Sequence, residues 1–296
     1  MEIRVLRYFL AVAQAQSISK AAEQLHITQP TLSRQLMDLE ASLGTKLFVR
    51  GKRNHKVTLT EAGTFLRKRA EEIILLADRT SAAFADSGDA VVGDVYLGVG
   101  ETDAIRFLAR AGRRIREYSP QIRYHLSSGD SANVEEQLDQ GLIDFGVLLG
   151  PVDGTKYESI ALPYRDAWGV LMRRDAPLAG KERIRPEDLW DKPLVWPRQS
   201  TSGDPLLRWF GRDSADLNIV ASYSLAYNAS LLTDEGLGYT LALDRIINVS
   251  GESTLCFRPL EPAMEIEVRL VWKKHQLFSR AAALFLQEIR AQLGQG

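Results

Sequence analysis

The chain has 296 residues, 45% of them hydrophobic and 25% charged, with 37 Lys and Arg against 38 Asp and Glu. That length exceeds one ordinary core and points to two domains, or to one domain followed by a lobed one. The composition is that of an ordinary globular protein, and no uninterrupted apolar run is long enough to cross a bilayer. In the opening "MEIRVLRYFLAVAQAQS", Glu2, Arg4 and Arg7 interleave with the apolar residues at helical spacing, and no small-residue cleavage site follows, which argues against a secretory signal. The single cysteine, Cys256, cannot form an intramolecular disulfide; this fits a cytoplasmic location and a small buried apolar residue. Charge is unevenly spread. Residues 1–70 carry twelve Lys and Arg against five Asp and Glu, so a segment of +7 precedes a remainder of −8. A basic head on an acidic body is an electrostatic footprint for phosphate, although a solvated face has the same look.

In chain order, "RVLRYFLAVAQ" predicts a helix with Leu6, Phe9, Leu10 and Ala13 on its inner face and Tyr8 and Val12 at the border. Ser17 or Ser19 caps a second helix with a small apolar face of Ala21, Ala22 and Leu25, and His26 and Ile27 form the turn that follows. Thr28 caps a third helix; Pro30 in its first turn forfeits no interior hydrogen bond, because early amides lack intrahelical acceptors. Leu32, Leu36, Leu39 and Leu43 form its apolar stripe, and Gly44 stops it.

With those leucines facing inward, Gln29, Thr31, Ser33, Arg34 and Gln35 populate the beginning and outer face of the third helix. These groups suit a DNA major groove: Gln pairs bidentately with adenine, Arg with guanine, and Ser or Thr with phosphate or either base. An innocent solvated face would also be polar. The cationic run "FVRGKRNHKVTLT" shifts the balance, with Val57 and Leu59 in a strand-like ending beyond a basic turn. Arg50, Lys52, Arg53 and Lys56 could reach backbone phosphate or enter a minor groove, or could simply decorate a solvated hairpin.

The string from Phe9 to Gly63, "FLAVAQAQSISKAAEQLHITQPTLSRQLMDLEASLGTKLFVRGKRNHKVTLTEAG", resembles the LysR-type transcriptional regulators closely. It keeps their AA-x-x-L, S/T-Q-P, L-S-R-Q, LE-x-x-LG, LF-x-R and LT-x-AG elements in order. The resemblance implies an α/β protein with an N-terminal winged helix-turn-helix, a long linker helix, and a two-lobed periplasmic-binding-protein-like effector domain. It also implies that DNA is met by Ser19, Thr28, Gln29, Pro30, Thr31, Ser33, Arg34 and Gln35, with Arg50, Lys52, Arg53 and Lys56 of the wing. Partners so implied are double-stranded promoter DNA, a small-molecule effector in place of any cofactor, RNA polymerase if the protein activates, and further copies of the chain. Past residue 90 the likeness lies more in the order of elements than in motifs.

Thr60 caps the next helix, "EAGTFLRKRAEEIILLADRTSAAFA", where Phe65, Ile73, Leu76 and Phe84 recur at helical spacing. One face of so long a helix either docks on its own chain or pairs with its counterpart in a second subunit, as the family's linker does, giving a homodimer and then a homotetramer. "DSGDAVVGD" marks a hinge. Strand and helix patterns then alternate from "VYLGVG" through "IRFLARAGRRIREY", "RYHLSS", "NVEEQLDQG" and "DFGVLL", a parallel α/β unit. A second series runs from "AWGVLM" to "YTLALD". After "EIEVRLVWKK", the helix "SRAAALFLQEIRAQL" is expected to return to the first lobe. The family layout sets expected limits of 1–59 for the head, 60–91 for linker and hinge, and 92–296 for the effector domain. Its lobes are expected at 92–163 plus 265–296, and at 164–264.

Ligands of open α/β sheets bind beyond strand carboxyl ends, where helix N-terminal amides meet polar groups. Three places qualify: Glu101 and Thr102, Ser128 and Ser131, and Gln199, Ser200, Thr201 and Ser202. Helix capping is the ordinary alternative for each hydroxyl. Glu101 would repel a carboxylate unless paired, by Arg106 or Arg198, so effector charge stays open. Catalysis finds little support. "GVGETD" lacks the third glycine of a dinucleotide fingerprint, and His26, His55, His125 and His275 have no metal-ligand spacing. A stand-alone solute-binding protein would share the two lobes but not the basic head.

Overall fold

The computed structural model describes residues 1–50, 57–83, 91–198 and 205–294. The chain divides into two compact units, 1–86 and 87–296.

The first unit opens with helices α1 (Ile3–Ala15), α2 (Ile18–Gln24) and α3 (Gln29–Leu43). α1 buries Val5, Leu6, Phe9 and Val12, while Leu10 and Ala13 are only half-buried. Its inner face is thus rotated from the one its periodicity predicts, because α1 packs against three other helices rather than against one floor. Ser17, not Ser19, caps α2, accepting from the Lys20 amide at 3.4 Å. Thr28 caps α3 through the Thr31 amide, also at 3.4 Å. Leu32, Leu36 and Leu39 are buried, but Leu43 is 41% exposed and Glu40 takes the remaining inner place. Gly44 ends the helix at φ +65°, a left-handed conformation that glycine adopts without steric cost.

Strands β1 (Phe48–Arg50) and β2 (Val57–Leu59) pair antiparallel, with Phe48 opposite Leu59. The hairpin tip that would carry Lys52, Arg53 and Lys56 lies outside the described residues. Thr60 caps α4 (Glu61–Ala83), accepting from the Gly63 amide at 2.9 Å and donating to the Lys46 carbonyl at 2.7 Å. A side chain at position 63 would sit 2.1 Å from the Leu47 carbonyl oxygen, so only glycine lets this turn close. α4 buries Leu66 and Ala70, half-buries Ile73, and leaves Phe65 68% and Leu76 38% exposed. Phe84 lies outside the described residues. An ion pair between Arg7 and Asp78 ties α1 to α4.

The second unit is built on β3 (Gly93–Val99), α5 (Ile105–Tyr118), β4 (Ile122–Ser128), α6 (Ser131–Asp139), β5 (Phe145–Leu149), β6 (Tyr157–Arg173), β7 (Leu194–Pro197), α7 (Pro205–Phe210), β8 (Ile219–Tyr223), α8 (Ala226–Asp234), β9 (Tyr239–Leu243), β10 (Leu255–Pro259), β11 (Glu265–Lys273) and α9 (Arg280–Gln292). The strand order is β4-β3-β5-β11-β6-β9-β7-β8, with β10 also paired to β6. β3 lies parallel to both β4 and β5, as successive βαβ units require. Only "AWGVLM" signals β6 in the sequence, yet the strand runs 17 residues from Tyr157, and β10 carries no clear sequence signal at all.

β6 and β11 pair with each other, and β6 runs on from the first core, where it buries Ile160 and Leu162, into the second, where it buries Val170 and Met172. One core gathers Phe107, Ile115, Phe145, Leu270 and Phe285, a second gathers Val170, Trp196, Phe210, Leu241 and Leu260, and a smaller third under α6 gathers Val134, Leu138, Leu148 and Val271. α9 closes the first core, with the Phe285 and Phe145 ring centroids 5.6 Å apart.

Candidate DNA interface and ligand cleft

Within the head, the buried leucines of α3 turn its other residues outward. Gln29, Pro30, Thr31 and Arg34 are exposed, Ser33 and Gln35 half-buried, and Ser19 is exposed in the first turn of α2. The Thr28 and Thr31 hydroxyls lie 2.8 Å apart, so each has a partner. The side chains of Gln29, Arg34 and Gln35 have no partner among the described residues. Ala21 and Ala22 are buried, 0% and 3% exposed, which lets α2 and α3 cross closely. Glu40 braces the base of α3: it accepts from the Leu47 amide at 2.8 Å and the Phe48 amide at 3.3 Å, and pairs with Lys46 at 2.7 Å. Burial pushes its carboxyl up, but the Lys46 and amide contacts outweigh that and hold it below the usual value.

The strand ends of the second unit frame a cavity of about 730 Å³ between the two lobes. Glu101 and Ser131 line it from one side; Trp168, Arg198, Arg208 and Tyr223 line it from the other. Gln199, Ser200, Thr201 and Ser202 lie outside the described residues. Thr102 and Ser128 are absent from the lining. The Thr102 hydroxyl is turned into the protein: it donates to the Asp166 carboxylate at 2.5 Å and accepts from the Ala104 amide at 3.1 Å. α6 is capped by Asp130, which accepts from the Asn133 amide at 2.9 Å, so Ser131 is not needed as a cap.

Glu101 accepts a hydrogen bond from the Ala226 amide at the start of α8, on the opposite lobe. Arg106 does not neutralise it, pairing instead with Asp103 at 2.6 Å; Arg198 shares its cavity. Tyr223 donates to the Leu241 carbonyl at 2.7 Å, and burial, helped by the nearby Glu101 charge, pushes its phenol well up. Asp166 on β6 is fully buried, and its carboxyl is pushed up by burial and by Asp244, against the Thr102 hydrogen bond and Arg245 at 3.5 Å. Sequence reading missed Trp168, Arg208, Tyr223 and Asp166. Only Asp166 left a signal, as a lone acid at the threshold of the apolar run "AWGVLM". A second cavity of about 520 Å³, largely apolar, lies between α5 and β4, away from the strand ends.

No group of three or more His, Cys, Asp or Glu among the described residues could hold a metal. No described helix is long and apolar enough to cross a membrane. Fold and surface chemistry together define a class, that of DNA-binding transcription regulators carrying an effector-binding domain. A family profile described as the LysR substrate binding domain matches residues 88–294, and one described as the bacterial regulatory helix-turn-helix protein, lysR family, matches residues 3–64. The Hca operon transcriptional activator HcaR of Escherichia coli (strain K12) is 31% identical over 284 residues, covering 94% of this chain and 93% of the relative. The HTH-type transcriptional regulator BudR of Raoultella terrigena is 25% identical, covering 97% of this chain and 99% of that one. Full-length CbnR, solved with its target DNA, shares the fold at a TM-score of 0.72 and 22% identity, covering 98% of this chain and 99% of that one. The chain belongs to the LysR family, whose members are DNA-binding transcription factors and not enzymes.

Proposed function

We propose that this regulator acts in the cytoplasm, at the nucleoid, reading promoter DNA as a homodimer or homotetramer under the control of a small molecule held between its lobes. The observation that carries the reading is the outer face of α3. Gln29, Arg34 and Gln35 stand on a helix anchored by three buried leucines and have no partner among the described residues. Arg and Gln in that setting read base edges, while Ser19, Thr28, Pro30, Thr31 and Ser33, with Arg50, Lys52, Arg53 and Lys56 of the wing, set the register on phosphate. Two heads side by side follow from pairing of α4 with its copy through Phe65 and Leu76, both exposed. RNA polymerase is the further partner if the protein activates.

The effector enters the cleft lined by Glu101 and Ser131, with Gln199, Ser200, Thr201 and Ser202 on the adjoining segment. Thr102 supports it from behind through Asp166, and Ser128 ends β4. The working division is a head of 1–59, a linker and hinge of 60–91, and lobes of 92–163 with 265–296 and of 164–264. β6, which enters both cores, and β11, which pairs with it, are the parts that bend when one lobe moves against the other. The test is a gel shift of purified full-length protein with DNA from the region neighbouring its own gene. Retardation that weakens steeply with added salt and yields a discrete footprint supports the reading. Retention of all DNA alike, or of none, overturns it.

A further inference from the structure

Among the described residues, the charged side chains of the cleft are segregated by lobe. Glu101, Asp130 and Glu135 come from one wall, at the end of β3 and on and beside α6, while Arg198 and Arg208 come from the other, after β7 and on α7. Glu101 is engaged with the Ala226 amide, and Asp130 caps α6. Glu135, Arg198 and Arg208 have no ion-pair partner among the described residues.

Two physical consequences follow. The start of α8 offers backbone amides to a ligand carboxylate, but the protein's own Glu101 is already bound there, and the start of α6, which also lines the cleft, is capped by Asp130. A ligand anion is therefore directed to the two guanidiniums, which are built for carboxylates. The opposite wall repels an anion and attracts a cation, so a ligand of one charge satisfies one wall and is opposed by the other. Trp168, Leu243 and Ile266 add apolar surface to the lining.

We propose that the cleft binds an ammonium carboxylate zwitterion, an amino acid in the broad sense, with its ammonium on the Glu101 and Glu135 wall and its carboxylate on Arg198 and Arg208. This rests on the reading of the cleft as the effector site, and it names the chemistry that site selects. Specificity here is double: removing either charge from the ligand leaves one wall with an unanswered group, which discriminates more sharply than adding or removing apolar bulk.

The test is a thermal-shift titration of the full-length chain against a panel of α- to ω-amino acids, each beside its des-amino acid and its decarboxylated amine. At least one amino acid should raise the melting temperature, binding about tenfold or more tightly than both counterparts, as expected for one charge-assisted hydrogen bond gained. Arg208→Ala should erase its advantage over the amine, and Glu135→Gln its advantage over the des-amino acid, with the ligand-free melting temperature unchanged. The zwitterion assignment is overturned if no amino acid of the panel binds, or if a singly charged counterpart binds as tightly as its parent. In that second case, a loss of the counterpart's binding in Arg208→Ala or Glu135→Gln would leave the cleft as the effector site and remove only the zwitterion. An amino acid whose affinity ignores Arg208→Ala, Glu135→Gln and Ser131→Ala alike would overturn the cleft itself.

Discussion

Glu40 and Leu47 are joined across the foot of α3: the buried carboxylate accepts the Leu47 amide at 2.8 Å, and through Phe48 it also holds the first strand of the wing. This bond couples the orientation of α3 to that of the hairpin beside it. On the proposed reading, in which α3 and the wing meet one duplex together, both gain from being braced against each other before binding.

Removing that brace should destabilise the head. Glu40→Ala leaves a buried amide unpaired and is expected to cost about 2–4 kcal/mol, with Glu40→Gln milder because it keeps an acceptor. Because the folded-state pKa is lowered, the stabilisation from Glu40 is fully present above its ordinary value of 4.5 and fades as pH falls through the lower folded-state value. Urea melts of wild type and Glu40→Gln, followed by circular dichroism between pH 7 and pH 3, measure both effects; parallel curves at all pH values would refute the coupling.

Arg34 and the wing should fail differently on DNA. Arg34→Ala is expected to weaken the cognate site more than random sequence, by about 1–3 kcal/mol if the guanidinium pairs with guanine. Replacing Lys52 or Arg53 should weaken both alike and reduce the salt slope by about one for each phosphate no longer met. Equal weakening on every sequence for Arg34→Ala would reassign it to phosphate.

Leu76, 38% exposed on α4, is expected in the seam between two linker helices. Leu76→Arg would bury a charge there, costing several kcal/mol, and shift the protein toward monomer. Sedimentation velocity reads the outcome directly. An unchanged mass with normal DNA affinity takes Leu76 out of the seam.

Asp166 should set a pH dependence of opposite sign to that of Glu40. Its folded-state pKa is raised above the ordinary 3.8, so the folded chain holds this proton longer than the unfolded one. Folding stability therefore falls as pH rises through that window, and the penalty persists above it. Melting temperatures of wild type and Asp166→Asn should differ by a constant amount below pH 3.8 and drift in favour of the asparagine variant as pH increases. A gap that stays constant across the range would mean that Thr102 and Arg245 compensate the buried charge fully.

The head was legible almost residue by residue because its signals are local. Caps at Ser17 and Thr28, the stop at Gly44, and the spacing of Leu32, Leu36 and Leu39 each depend on neighbours within one or two helical turns. Its errors arose where the helix meets the rest of the unit. Leu43 continues the stripe but projects past the end of the packing surface, and Glu40 lies inward because the β1 amides arrive there to bond it.

The effector domain was legible only as a succession of strands and helices. Alternation predicted the parallel unit and the helix that closes it, but a strand such as β6, which is shared between two lobes, shows no single period along its 17 residues. The cleft shows the same division. Sequence order brings Glu101 and Thr102 to the end of β3, whereas tertiary structure sends the first across to Ala226, 125 residues away, and turns the second inward onto Asp166. No repeat or local propensity encodes either contact, since each depends on how two separately packed lobes meet. The sequence by itself therefore determined the family, the helices of the head and the order of elements, through interactions within a few turns. Which polar side chains face the cleft and which serve the protein's own hydrogen bonds was decided only by folding, because a buried polar group must take whatever partner the assembled lobes bring within reach.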